Sequence, residues 1–154
     1  MKTVVFLRIA SILTLIHSAL HTIGGVFGKP VNGTAAMVAA TMREYQFPVL
    51  GATRSYADFY RGLGLGITIF LTIEAIVFWQ LASLAKSDSR RIRPVLATFL
   101  VGYLAMALNS YLFFFSAPVI TEILIAACLG MAIATAKSET SAPVANTGHQ
   151  IRTV

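Results

Sequence analysis

Gly62-Leu63-Gly64-Leu65-Gly66-Ile67-Thr68-Ile69-Phe70-Leu71-Thr72-Ile73-Glu74-Ala75-Ile76-Val77-Phe78-Trp79-Gln80-Leu81-Ala82-Ser83-Leu84-Ala85 is an apolar run with one charged side chain, Glu74. A helix rises about 1.5 Å per residue, so a run of this length crosses a hydrocarbon core of about 30 Å. Three more stretches have the same character, over residues 9–27, 94–115 and 119–136. The expectation is an all-α fold, a four-helix transmembrane bundle filling residues 1–136. A polar tail follows over 137–154, rich in Ser, Thr, Ala and Asn, and too polar to bury a core.

Composition agrees. Of 154 residues, 56% are hydrophobic and 12% are charged, where soluble domains carry roughly 25% charge. The mean hydropathy is +0.76. An ordinary soluble enzyme, a disordered chain and a disulfide scaffold are excluded on these grounds. The only cysteine, Cys128, lies inside an apolar run and reads as a small core side chain. The first run carries His17 and His21 and lacks a clean cleavage motif, so it reads as a retained span rather than a leader.

The net charge of +6 resides mainly in the links between spans, where basic residues set the threading. No basic patch with interleaved aromatics suggests nucleic acid. Lys2, Arg8, Lys86, Arg90, Arg91, Arg93, Lys137 and Arg152 fall on one side. Lys29, Arg43, Arg54 and Arg61 fall on the other. This predicts both termini in the cytoplasm (N-in, C-in) and the loop 29–61 outside. Within that loop, residues 34–45 read as a short interfacial helix ended by Phe47-Pro48. Ser55 with Asp58 three residues on reads as an N-cap for the second span. Tyr56, Phe59 and Tyr60 read as an aromatic belt. The spacing of Gly62 and Gly66 permits close helix approach, either within the chain or between two copies.

Polar groups inside the spans carry the functional signal, because they are costly in hydrocarbon. His17 and His21 share a helix face with Ser11, Thr14, Ser18 and Gly25. Depth counting sets Glu74, Asn109 and Glu122 near the same levels, giving a polar set of His17, His21, Glu74, Asn109 and Glu122. That set suits the polar head of a lipid-like ligand such as a quinone, isoprenoid or sterol. It equally suits helix registration, proton movement, or a metal held by His17, His21 and Glu74. Paired axial ligation of haem is excluded, since no second helix offers a histidine. Arg54, Asp58 and Arg61 form an outer-edge group, read as a surface ion pair or an access point for an anionic molecule. Phosphate loops, nucleophile elbows, H-E-x-x-H and Cys-x-x-Cys are missing from the sequence.

His21-Thr22-Ile23-Gly24-Gly25 and Tyr56-Ala57-Asp58-Phe59-Tyr60-Arg61-Gly62-Leu63-Gly64 together resemble small bacterial four-span membrane proteins. The overall plan is similar to the DoxX group, over the chain up to Ala136. The resemblance implies a bacterial inner membrane and brings no activity or functional residues with it. The functional expectation is therefore a small integral membrane protein with a polar pocket between helices, for a lipid-like ligand or within a membrane complex. The competing readings are a membrane oxidoreductase or isomerase acting on a quinone or isoprenoid, with or without a metal, and a homo-oligomeric carrier or pore.

Overall fold

The computed structural model describes residues 2–136, and the 137–154 tail expected from the sequence lies outside the described residues. Four helices are long and apolar enough to cross a membrane, as in a multi-pass membrane protein. The first, α1 (Lys2–Leu20), continues without a break into a π-helical turn, His21–Val26. After α2 (Gly33–Glu44) come two short strands, β1 (Gln46–Val49) and β2 (Ala52–Ser55). The remaining spans are α3 (Tyr56–Leu84), α4 (Arg93–Phe113) and α5 (Ser116–Thr135). Helix α1 packs against α3 and α5, and α5 packs against α4, whereas α3 and α4 make no comparable backbone approach. The end of the bundle carrying α2 and the strands is called the capped end below.

Local chemistry explains the boundaries. The Asn32 side chain accepts from Ala35 N–H at 2.9 Å and starts α2, one residue earlier than expected. Ser55 caps α3 in a full capping box, its hydroxyl accepting from Asp58 N–H while the Asp58 carboxylate accepts from Ser55 N–H. Helix α3 therefore begins at Tyr56, six residues before the apolar run. The α1 helix likewise begins at Lys2 rather than near residue 9, which moves its midpoint from Ser18 toward Thr14. Pro94 sits in the first turn of α4, where its missing N–H has no helical partner to lose.

Two short strands are added to the otherwise helical plan. They pair antiparallel from Gln46↔Ser55 to Val49↔Ala52. Leu50 (φ 46°) and Gly51 (φ 84°) make the reversal, both left-handed, as the tightest hairpin turns require. Tyr45, Phe47, Tyr56 and Phe59 then stack across the hairpin and the start of α3, with Phe47 5.0 Å from Tyr56 and 5.8 Å from Phe59. Tyr60, grouped with them by sequence, is exposed and outside this cluster.

The core lies in the half away from the cap. Leu7, Ala10, Phe78, Ala82, Leu96, Ile125, Leu129 and Ala132 are buried there. Phe78 meets Phe99 edge-on at 5.0 Å. Arg8, inside α1, stacks its guanidinium 3.3 Å over the Trp79 ring and donates to Ser83 Oγ at 3.2 Å. The aromatic face offsets part of the expense of a cation at this depth.

Candidate functional site

Small hydroxyl residues dock α1 onto α3. Ser11 Oγ donates to the Ala75 carbonyl at 2.6 Å. Ser18 Oγ donates to the Thr68 carbonyl at 3.1 Å and lies 3.0 Å from Thr72 Oγ1, while Thr22 and Thr68 hydroxyls meet at 2.8 Å. Each such bond in a membrane is worth about 0.6 kcal/mol on average. Ser11, Thr14 and Ser18 are buried and face inward, whereas His17 and His21 are half-buried and Gly25 is exposed.

Tyr103, a residue the sequence reading passed over, sits at the centre of the interior group. Its hydroxyl donates to Glu74 Oε2 at 2.7 Å and lies 3.3 Å from Thr14 Oγ1. Thr14 in turn donates to the Ala10 carbonyl. Tyr103 is also within electrostatic range of Glu122. Glu122 is 2% exposed, and its Oε1 accepts from Ser110 Oγ at 3.0 Å. Two carboxylates on α3 and α5 thus flank one phenol on α4, near the mid-height of the spans.

Two unpartnered atoms lie near the level of this group. Glu122 Oε2 and His17 Nδ1 are buried without a hydrogen-bond partner. Helices α1 and α5 are antiparallel and meet at Thr3 and Thr135, whose hydroxyls are 3.1 Å apart. Counting up both helices from that contact sets His17 within one residue of the level of Glu122. A buried polar atom left unpaired costs about 1–3 kcal/mol, so both atoms are suited to meet something polar from outside the chain.

The other expected members lie elsewhere. His21 Nε2 donates to the Gly64 carbonyl at 3.0 Å, ten residues along α3 from Glu74, a rise of about 15 Å. That bond fixes the Nε2–H form, since a carbonyl only accepts. Asn109 is exposed, and its neighbour Ser110 is the α4 residue that turns inward. The structure therefore joins Glu74 to Tyr103 and Thr14, and Glu122 to Ser110, but brings neither His21 nor Asn109 to them. Among the described residues no three His, Cys, Asp or Glu side chains form a metal-binding group, so His17, His21 and Glu74 are not gathered as one. A double-mutant cycle between Glu74→Gln and Tyr103→Phe is expected to show coupling of about 0.5–1.7 kcal/mol in unfolding free energy. The same cycle between Glu74→Gln and His21→Ala is expected to be additive.

At the capped end, Arg54, Asp58, Phe59, Gly62 and Leu63 line an open depression of about 280 Å³. Arg54 donates to the Thr53 carbonyl and Asp58 is engaged by Ser55. The expected Arg54–Asp58 ion pair does not form. Among the described residues the one ion pair is Arg91–Asp88, at 3.0 Å. Arg61 lies on the exposed side of α3. A larger open hollow of about 460 Å³ is lined by Met37, Val38, Thr41, Met42, Tyr45 and Tyr56.

No relative stands beside this geometry. No protein-family model matches the chain, and no curated protein or solved structure is significantly similar to it.

The glycines separate into two kinds. A side chain at Gly64 would meet Val26 Cγ2 at 2.8 Å, so this is where the π-helical turn closes on α3. Side chains at Gly62 and Gly66 would meet nothing within 4 Å. Close packing within the chain thus uses Gly64, and Gly62 and Gly66 face away.

Proposed function

We propose that the protein is a small integral membrane protein that binds a lipid-like molecule, the polar head of which enters the capped half of the helix bundle beside Glu74, Tyr103, Glu122 and His17. The observation that carries this reading is the buried, unpartnered Glu122 Oε2, with a second unpartnered atom, His17 Nδ1, at the same level of the bundle. Intramembrane ionisable groups of this kind are functional by default. Apolar surface around them suits a chain or ring system rather than a soluble substrate. A registering role alone needs no orphaned atoms, because an apolar pair would hold the helices as well.

The reading extends to placement. The bias of basic residues supports termini in the cytoplasm and the capped end outside, and the resemblance noted in the sequence implies a bacterial inner membrane. On that threading α2 lies along the outer interface, with Met37, Val38 and Tyr45 exposed toward lipid. In a Cys128→Ser background, cysteine at Gly33 is expected to react with an impermeant thiol reagent in intact cells, and cysteine at Ser87 is not. The reverse pattern contradicts the threading. A second copy of the chain, docked through Gly62 and Gly66, is the second reading, favoured by their open faces.

Mass spectrometry of the gently purified protein, with lipid extraction and elemental analysis on the same sample, tests the ligand directly. The expected result is one lipid-like molecule per chain, lost in Glu122→Met. A folded wild-type protein that is empty contradicts the proposal.

A further inference from the structure

On the capped side of the Glu74–Tyr103 bond, no hydrogen bond or ring contact among the described residues joins α3 to α4. The facing residues are left open instead. Leu63, Ile67 and Phe70 on α3 are 70%, 38% and 68% exposed, and Met106 and Phe113 on α4 are 42% and 75% exposed. These positions recur at helical spacing on the faces that also carry Glu74 and Tyr103. The result is a seam between α3 and α4, apolar along its walls, that opens sideways. Its floor is the Glu74 carboxylate, with the Phe78–Phe99 pair closing the space beyond.

Charge selects the occupant. From Gly62 to Glu74 on α3, and through the capped halves of α1, α4 and α5, the sequence has no Lys or Arg; Arg54 and Arg61 lie beyond Leu63 at the capped surface, and His17 and His21 belong to the first span. The same region holds two carboxylates, Glu74 and Glu122. A phosphate or carboxylate head at the depth of Glu74 would meet like charge in a low-dielectric setting with no Lys or Arg beside it. A positively charged head meets the Glu74 carboxylate and, one turn away on α3, the exposed ring of Phe70, whose face attracts cations.

We propose that the α3–α4 seam takes a single-chain lipophilic cation, an amine or quaternary ammonium, with its head at Glu74 and its chain between Leu63, Ile67, Phe70, Met106 and Phe113. This rests on the ligand-binding reading above and narrows it to one class of molecule. Asn109, exposed on α4 six residues beyond Tyr103, lies roughly 120° round that helix from it, on the flank toward the mouth of the seam.

The test uses three probes with the same chain and different heads: dodecylamine, dodecanol and dodecyl phosphate. Each is added to the full-length protein in an uncharged detergent, and occupancy is read by native mass spectrometry. Dodecylamine is expected to bind one per chain, at least about tenfold more tightly than the other two. Glu74→Gln is expected to erase the preference and Glu74→Asp to restore it, which separates loss of charge from loss of fold. Phe113→Ala, at an exposed position, is expected to weaken all three probes without changing their order. Equal binding of dodecanol, or a preference that survives Glu74→Gln, overturns the cation assignment. If no probe binds while a molecule still co-purifies, the seam assignment fails and the broader ligand reading stands. If no probe binds and nothing co-purifies, both fail.

Discussion

Phe78→Ala is expected to lower the unfolding free energy by about 3 kcal/mol, at the lower end of the range for emptying a large aromatic site. Phe78 is fully buried and packs against Phe99 at 5.0 Å and Tyr103 at 6.1 Å. Helices in a bilayer gain little from leaving lipid, so dispersion contacts carry more of their association. Removing this ring takes away the main apolar joint between α3 and α4, which have no close backbone approach to fall back on. Phe78→Leu is expected to recover more than half of the loss. Steric-trap or denaturant unfolding in detergent measures both. A loss under about 1 kcal/mol would mean that α3 and α4 are held by something other than this joint.

Gly64→Val is expected to cost about 1–3 kcal/mol, the range for forcing extra atoms into a packed site. A Cβ at Gly64 already crowds Val26 and reaches His21 Nε2 at 3.9 Å. The π-helical turn would shift away from α3 and the His21–Gly64 bond would weaken. Gly66→Val is the control, since nothing in the chain lies within 4 Å of a Cβ there. It is expected to leave the unfolding of the monomer within about 0.5 kcal/mol of wild type. If two copies dock through this face, Gly66→Val weakens their association instead. Equal losses from both variants would contradict the packing at the π-helical turn.

Several features were legible in the residues, and the reasons are physical. Span count follows from apolar length against bilayer thickness, and all four runs became long helices. The Ser55–Asp58 box was readable because its two bonds are local in sequence. The inward stripe of α1 followed from helical period, and Ser11, Thr14 and Ser18 are indeed buried.

Other features were hidden for equally physical reasons. The hairpin turn is Leu50-Gly51, with leucine at a left-handed position where Asn or Asp is the usual signal. Asn109 and Ser110 differ by one residue, hence by about 100° around α4. Depth counting cannot tell which of them turns inward. His21 and Glu74 share a depth only if the first span begins near residue 9; with α1 starting at Lys2, His21 rises to the level of Gly64, ten residues along α3 from Glu74. Tyr103 passed unnoticed because a tyrosine in a span reads as an aromatic, although its hydroxyl needs a partner once buried. Close contact at Gly64, rather than at Gly62 or Gly66, depends on the π-helical turn bringing Val26 across, which no spacing rule for straight helices contains.

A Glu122 retained for a ligand and not for the fold should be dispensable to stability, which the unfolding free energy of ligand-free Glu122→Met measures. Met is close in size and apolar, so the orphaned carboxylate oxygen disappears while the volume stays filled. Ser110, freed of its partner, can turn its hydroxyl to a carbonyl one turn back on α4. The variant is expected to be at least as stable as the ligand-free wild type, yet without a bound molecule. A variant destabilised by more than about 1 kcal/mol would contradict it and make Glu122 a strut between α4 and α5.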